Sequence, residues 1–242
     1  MILAAGLGTR LRPLTNDRPK ALVEVGGRTM LEITLSRLRG FGIHDVIINV
    51  HYLADMILEY LKENGNFGMH IEISREDVLL DTGGGLKKAA AFFLEDHDTP
   101  FILHNVDVIS NIDLRRMMQF HTENRALATL AVQDRETSRY LLFDERNQLC
   151  GRRTRSDQKD ELVGGSKPAR ALGFSGIHII SPRFFELIQE DGIFSIITSY
   201  LRLAARGEKI VAFWADGYYW RDMGRPEDVL QAANDLKQQI LP

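Results

Sequence analysis

The sequence predicts a doubly wound α/β fold on a mixed, mostly parallel sheet, with a small β-rich region in its second half. Three observations carry this. Short apolar, β-branched runs alternate with helix-spaced segments as far as Gln133. The first run, Met1-Ile2-Leu3-Ala4-Ala5, leads straight into a turn at Gly6 and Gly8, where backbone N–H groups can converge on phosphate oxygens. After Asp134 the pattern changes to closely spaced strand signals around a turn.

The elements follow in order. Thr29–Phe41 places Leu31, Leu35 and Leu38 at helical spacing and ends at Gly40 and Gly42. Asp45–Val50 reads as a buried strand. Tyr52–Lys62 reads as a helix closed by Asn64-Gly65, and His70–Ser74 as a strand. Gly83–Leu94 is a helix after a glycine-rich start. Phe101–Asn105 is a strand leading to Asp107, Asp113–Asn124 a helix and Ala126–Gln133 a strand. Tyr140–Asp144 and Gln148–Arg152 flank Glu145-Arg146-Asn147 as a hairpin. Arg153–Ala169 is polar, with Gly164-Gly165 and Pro168, and is expected to be a mobile loop. Leu172–Ile180 is a strand, and Ser181-Pro182 opens a helix over Arg183–Gln189. Phe194–Arg206 is another helix. Lys209–Ala215 and Tyr218–Arg221 are expected to pair with each other around Asp216-Gly217, and Arg225–Gln239 to form a terminal helix.

At 242 residues, with 44% hydrophobic and 26% charged content, the chain can bury one large core. No apolar run approaches the ~20 residues of a membrane span, and no signal peptide is expected. A single Cys150 fits a reducing cytoplasm, and the net charge of −3 argues against a nucleic-acid surface. The first strand begins at Met1 with almost no lead-in, so either it is very short or residues precede it.

Against that acidic whole, residues 3–20 carry Arg10, Arg12, Arg18 and Lys20 opposed only by Asp17. Leu11 stands where a dinucleotide fingerprint needs its third glycine, and Pro13 and Pro19 break the helix that fingerprint opens. The chain has no Gly-Lys-Ser/Thr, so the P-loop pattern is absent too. What remains is an extended, proline-stiffened cationic loop with a late lysine.

This loop resembles the signature of the sugar-1-phosphate nucleotidyltransferases, Leu-Ala-Ala-Gly-x-Gly-Thr-Arg-Leu-x-Pro-Leu-Thr and then Pro-Lys, with every fixed position filled between Leu3 and Lys20. The resemblance implies a Rossmann-like nucleotidyltransferase fold. It implies one catalytic domain over residues 1–242, with a nucleotide-binding half at 1–134 and a sugar-binding half and closing helix at 135–242. Many members carry a C-terminal β-helix of hexapeptide repeats, and no such repeat is read in this sequence, so no C-terminal β-helix is expected. It implies that Leu3, Ala4, Ala5, Gly6, Gly8 and Thr9 bind nucleotide, together with Asn49 and the turn Asp81, Thr82, Gly83 and Gly84. Arg10 would hold the β/γ phosphates and Lys20 would bridge the two substrates' phosphates. Asp107, in Asn105-Val106-Asp107, and Asp222, in Trp220-Arg221-Asp222-Met223-Gly224, would hold Mg2+. The plain structural alternative is a strand-end cap for Asp107 and an exposed turn beside a buried Trp for Asp222. His51 resembles a base-side position and reads equally as a structural histidine.

The sugar side would use Asn105, Gly176 and Lys167. Val106 replaces the family's usual Gly, Phe174 its common Asn, and Ser166-Lys167-Pro168 its Glu-Lys-Pro. The basic stretch Gly151–Arg170 reads as a lid over an anionic sugar or as a solvated loop. The expected partners are a nucleoside triphosphate, UTP or GTP, and a sugar-1-phosphate, with no nucleic acid and no membrane, in a cytoplasmic monomer or homodimer. The Asp81–Gly85 wording looks most like the N-acetylmuramate-1-phosphate uridylyltransferase type, which favours UTP, with small residues whose exposed N–H groups read a pyrimidine. Mannose- or heptose-1-phosphate guanylyl transfer, choline-phosphate cytidylyl transfer and a catalytically silent sensor are the alternatives.

Overall fold

The computed structural model describes residues 1–94, 98–154, 159–165 and 167–237. The chain forms two compact units: Met1–Leu79 with His104–Ile112 and Tyr218–Pro242, and Leu80–Leu103 with Asp113–Gly217.

In the first unit, parallel strands are laid side by side. Ile2–Leu3 lies between Asp45–Val50, with Ile2 opposite Ile48, and the end of Phe101–Asn105, with Leu3 opposite Asn105. His70–Arg75 pairs beyond Asp45–Val50, also in parallel. Asp45–Val50 is buried from its second residue onward, as strands covered on both faces are. The helix Met30–Gly40 starts where the Thr29 hydroxyl accepts the Glu32 N–H, and its buried Leu31, Leu35 and Leu38 are the apolar stripe of the sequence. A separate antiparallel pair, Val108–Ser110 with Trp220–Asp222, sets Val108 opposite Asp222 and Ser110 opposite Trp220. Leu11, Val23, Val25, Met30, Ile109, Met223, Val229 and Ala232 form one buried cluster. Burying each large member contributes about 1.5–3 kcal/mol, which pins the N-terminal loop, that strand pair and the helix Pro226–Lys237 to one another.

The second unit is largely antiparallel. Ala128–Gln133 lies between Ile210–Trp214, in parallel, and Arg170–Ile180, antiparallel. Arg139–Phe143, Leu149–Thr154 and Asp160–Leu162 extend that edge in antiparallel order. Leu114–Asn124 is capped by the Asp113 carboxylate on the Arg116 N–H. The rings of Phe93, Phe101 and Phe185 stack at 4.0–5.9 Å. The mixed sheet with parallel central strands and flanking helices is the doubly wound α/β fold read from the sequence.

Three local expectations are corrected. Ile210–Trp214 and Trp220–Asp222 do not pair with each other; the first joins Ala128–Gln133 and the second Val108–Ser110. Part of the expected loop Arg153–Ala169 is strand, because Arg153 and Asp160 sit opposite each other and form a bidentate ion pair; residues 155–158 and Ser166 lie outside the described residues. The helix expected over Arg183–Gln189 is a single turn, Phe184–Leu187, since Ile188 turns extended. Gln238 and Gln239, which the terminal helix was expected to include, also lie outside the described residues.

Candidate active site

The cationic loop is folded tightly by its own residues. Gly8 is left-handed at φ 65°, and its carbonyl accepts the Thr15 hydroxyl at 2.7 Å and the Leu11 N–H at 2.9 Å. A Cβ there would lie 2.9 Å from the Thr15 methyl and 3.3 Å from the Lys20 Cβ, so both angle and space demand glycine. Gly6 differs: nothing of the protein lies within 4 Å of where its Cβ would be. Leu11 plunges into the buried cluster, which leaves Arg10 exposed beside it.

Four residues singled out from the sequence come together in this unit. The Lys20 ammonium donates to the Asp107 carboxylate. The Asp107 carbonyl accepts the Met223 N–H at 2.8 Å, one residue past Asp222. Gly224 is wedged against both the Asp222 carboxylate and the Arg10 guanidinium: a Cβ on it would sit 2.5 Å from Asp222 Oδ1 and 3.1 Å from Arg10 Nη1. Burial raises the Asp222 carboxyl above its ordinary range, the charge of Asp107 raises it further, and Lys20 and Arg10 pull it back. Two like-charged carboxylates between two cations form a site for a cation and a polyanion. The pair supplies two hard oxygen donors, which fits magnesium, an ion that takes one or two carboxylates and leaves its other positions to phosphates and water.

Asn49 stands beneath the first strand. Its Oδ1 accepts the Ala4 N–H at 2.7 Å and its amide donates to Glu76 Oε1 at 2.7 Å. His51 Nδ1 donates to the Glu76 carbonyl at 2.8 Å. Asn49 and Glu76 are 3% and 2% exposed, so Asn49 sets the path of Leu3–Gly6 from within the core. Sequence reading missed Glu76. Its signal was a carboxylate one residue past a strand of otherwise half-buried character, which no motif marks.

The turn Asp81–Gly85 lies in the second unit and starts the helix Asp81–Lys88. Several of the N–H groups that the sequence reading left open to a base have partners within the protein. Gly83 and Gly84 donate to the Phe194 carbonyl at 2.9 and 3.3 Å, and Thr82 donates to its neighbour's carboxylate, Asp81 Oδ1, at 2.6 Å. The Thr82 hydroxyl accepts the Ile196 N–H at 3.0 Å. A Cβ on Gly83 would collide with the Phe194 ring, and one on Gly84 with the Gly192 carbonyl.

Of the residues read as sugar-binding, Asn105 ends its strand in the first unit, half-buried. Gly176 sits in the second unit at φ 75°, where the pairing of Arg170–Ile180 with Ala128–Gln133 shifts register between Phe174 and His178. Such a bulge needs a left-handed residue and bends the strand locally. Lys167 is exposed, next to Ser166, which is outside the described residues.

Known proteins match this chain along most of its length. It is 35% identical over 249 residues to an N-acetylmuramate alpha-1-phosphate uridylyltransferase of Caulobacter vibrioides, covering 98% of this chain and 96% of that one. It is 34% identical over 235 residues to a mannose-1-phosphate guanyltransferase of Yarrowia lipolytica, covering 95% of this chain and 61% of the relative. The chain thus spans about three fifths of the length of that guanyltransferase. Among solved structures, HddC from Yersinia pseudotuberculosis complexed with GMP-PN shares the fold at a TM-score of 0.75, with 24% identity over 97% of both chains. The nucleotidyl transferase family model matches residues 1–145, which hold Arg10, Lys20 and Asp107, and with these relatives it shows that the chain belongs to the nucleotidyl transferase family.

Proposed function

We propose that this chain transfers a nucleotidyl group from a nucleoside triphosphate to a sugar-1-phosphate and releases pyrophosphate. The observation that carries the reading is the convergence of Lys20, Asp107, Asp222 and Arg10 in one unit, behind a glycine loop whose Gly6 is open to an approaching ligand. A phosphate oxygen of the sugar-1-phosphate attacks the nucleotide α-phosphorus as the bond to pyrophosphate breaks. Both reactants are polyanions, so positioning and charge neutralisation are most of the catalysis. Arg10 holds the departing pyrophosphate. Lys20, fixed by Asp107, lies between the two phosphates that must approach. Asp107 and Asp222 would hold magnesium, which when bound neutralises the triphosphate. A sensor that only bound nucleotide would need no such paired carboxylates.

The nucleotide is UTP in this reading, supported by the 35% identity along nearly all of both chains to the uridylyltransferase. Guanylyl transfer is the second reading, favoured by the 34% identity to the mannose-1-phosphate guanyltransferase. Pyrophosphate release measured with UTP, GTP, CTP and dTTP against N-acetylmuramate-1-phosphate and mannose-1-phosphate tests both. UTP is expected to exceed GTP in kcat/KM by ~10²-fold, the scale on which pairing a few polar groups discriminates substrates. A preference for GTP would move the chain to the second reading, and no release with any pair would sink the reaction itself.

A further inference from the structure

The strand Trp220–Asp222 carries a carboxylate on one face and a latch on the other. Alternate residues of a strand point to opposite sides, so Tyr219 and Arg221 share the face that Asp222 does not. On that back face the polar contacts with the helix Pro226–Lys237 centre on Asp235, which is 6% exposed, with Asp228 farther from Arg221. Asp235 Oδ2 accepts the Tyr219 hydroxyl at 2.7 Å and lies 3.3 Å from Arg221 Nη2. Its Oδ1 accepts the Gln231 side-chain amide at 2.8 Å. Arg221 Nε in turn donates to the Tyr219 oxygen at 3.2 Å, which closes a triangle of two strand residues and one helix residue. The Tyr219 backbone is tied on its other edge to Asn111: its N–H donates to Asn111 Oδ1 at 2.7 Å, and its carbonyl accepts the Asn111 N–H at 3.1 Å.

We propose that Asp235 is a positioning residue for the metal-binding carboxylate Asp222, holding its strand from behind through Tyr219 and Arg221. The proposal rests on the reading of Asp107 and Asp222 as the magnesium ligands. A buried acid so far inside a terminal helix costs stability unless it is paired. Here its partners are the two residues that flank Trp220, and Arg221 is the immediate neighbour of Asp222. Without Asp235 the Arg221 guanidinium loses its closest anion, since Asp228 stands farther off at 3.9 Å. The strand would then keep its pairing with Val108–Ser110, and Asp222 would lose the support from behind that sets it beside Asp107 for a magnesium ion. Groups hydrogen-bonded to metal ligands fix ligand orientation, and their loss typically weakens metal affinity by about 10–100-fold. Asp235 acts one residue farther out, through Arg221, so the lower end of that range is expected.

The test reads metal directly. Binding of Mn2+ to the enzyme–UTP complex is followed by water-proton relaxation, with no sugar phosphate present. Asp235→Asn is expected to weaken Mn2+ binding by about 10-fold, to raise the Mg2+ concentration for half-maximal turnover in step, and to leave the KM for the sugar phosphate unchanged. Gln231→Ala touches Asp235 only from its own helix and is expected to change Mn2+ affinity by less than about 2-fold. If Asp235→Asn does not fold, Tyr219→Phe decides, since it keeps the ring and the Arg221–Asp235 pair and removes one tie. Wild-type Mn2+ affinity in the variant that folds overturns the proposal. If Asp222→Ala also keeps that affinity, the metal-ligand reading has failed instead.

Discussion

Two glycine-rich turns, one in each unit, look alike in sequence and differ in what makes them glycine-rich. In Gly6-Leu7-Gly8, Gly8 is required by the fold and Gly6 is not, since open space surrounds its missing side chain. In Gly83-Gly84-Gly85 the first two glycines are closed over by the protein itself, with Phe194 and Gly192 where side chains would be and the Phe194 carbonyl on their N–H groups. A glycine with open space around it, set beside cations and carboxylates, leaves the backbone approachable, which is what the proposed nucleotide contact at Gly6 needs. A glycine whose missing side chain leaves room that another segment fills is needed for packing, whatever else it does. The first turn also has cations and carboxylates gathered around it in its own unit, and the second is held by residues 190–196.

The sharpest way to break this comparison is at the carboxylates. Asp107→Ala or Asp222→Ala is expected to lower magnesium-dependent turnover by at least ~10³-fold while circular dichroism stays native. Burial and the charge of Asp107 disfavour the Asp222 carboxylate, so removing Asp222 relieves repulsion, while removing Asp107 also takes its carboxylate partner from Lys20. Full turnover in either variant would falsify the assignment of this cluster as the reaction centre.

Arg10 comes next. It is exposed, and its guanidinium lies against Gly224. Arg10→Ala is expected to cost ~10²–10³ in kcat, about 3–4 kcal/mol, because its charge matters most as pyrophosphate departs. An unchanged kcat with a raised KM for the nucleotide would make it a ground-state binding residue.

The loop of the candidate site was legible because it is contiguous in sequence, and the structure brings Lys20, Asp107, Asp222 and Arg10 together in one unit. Leu3 to Lys20 is one uninterrupted motif, and Asp107 and Asp222 stand at strand ends that the apolar pattern locates. Asp45–Val50 and Phe101–Asn105 were read to the residue because buried parallel strands are continuous apolar runs. The partner of Trp220–Asp222 was not legible: it pairs with residues more than a hundred positions away, and three-residue strands carry no register signal of their own. Phe194 and Asp235 were missed for a related reason. Each acts on a motif from another element, and a contact of that kind leaves no spacing in the chain.

The second unit has its own acid sensitivity, which separates its stability from the reaction. His121 is buried between the Thr129 and Ser181 hydroxyls, at 2.9 and 3.0 Å, and His178 is buried against the Tyr200 hydroxyl at 3.0 Å. Burial pushes His121 down to about 4 and His178 to about 3, from an ordinary 6.5. Above pH 6.5 neither is charged in either state, so neither contributes pH dependence. Below it the unfolded chain takes up protons that the folded chain refuses, and stability falls as pH falls. The slope is ~1.4 kcal/mol per pH unit for each histidine, or about 2 kcal/mol each by pH 5. Urea denaturation at pH 7 and pH 5 measures this. His178→Phe is expected to lower the slope by about half, since His121 still titrates, and an unchanged profile in that variant would mean the His178 ring is not a group that titrates.

The smallest effect is the one that separates the two turns most directly. Gly83→Ala puts a methyl into the Phe194 ring, and the ring must move because the Gly83 N–H is bound to that same residue's carbonyl. Overpacking of this kind costs about 1–3 kcal/mol, so the variant is expected to melt earlier while its kcat for the folded fraction changes little. Gly6→Ala meets no protein atom, and its stability is expected to stay within about 0.5 kcal/mol of wild type. Its methyl stands instead where a phosphate would approach the backbone, so the KM for the nucleotide is expected to rise. Measured together by urea denaturation and initial rates, the pair gives opposite signatures: stability lost without function in one turn, function lost without stability in the other. If Gly83→Ala raised the nucleotide KM at unchanged stability, the Phe194 packing would not be the reason for that glycine, and the second turn would belong with the first as a ligand contact.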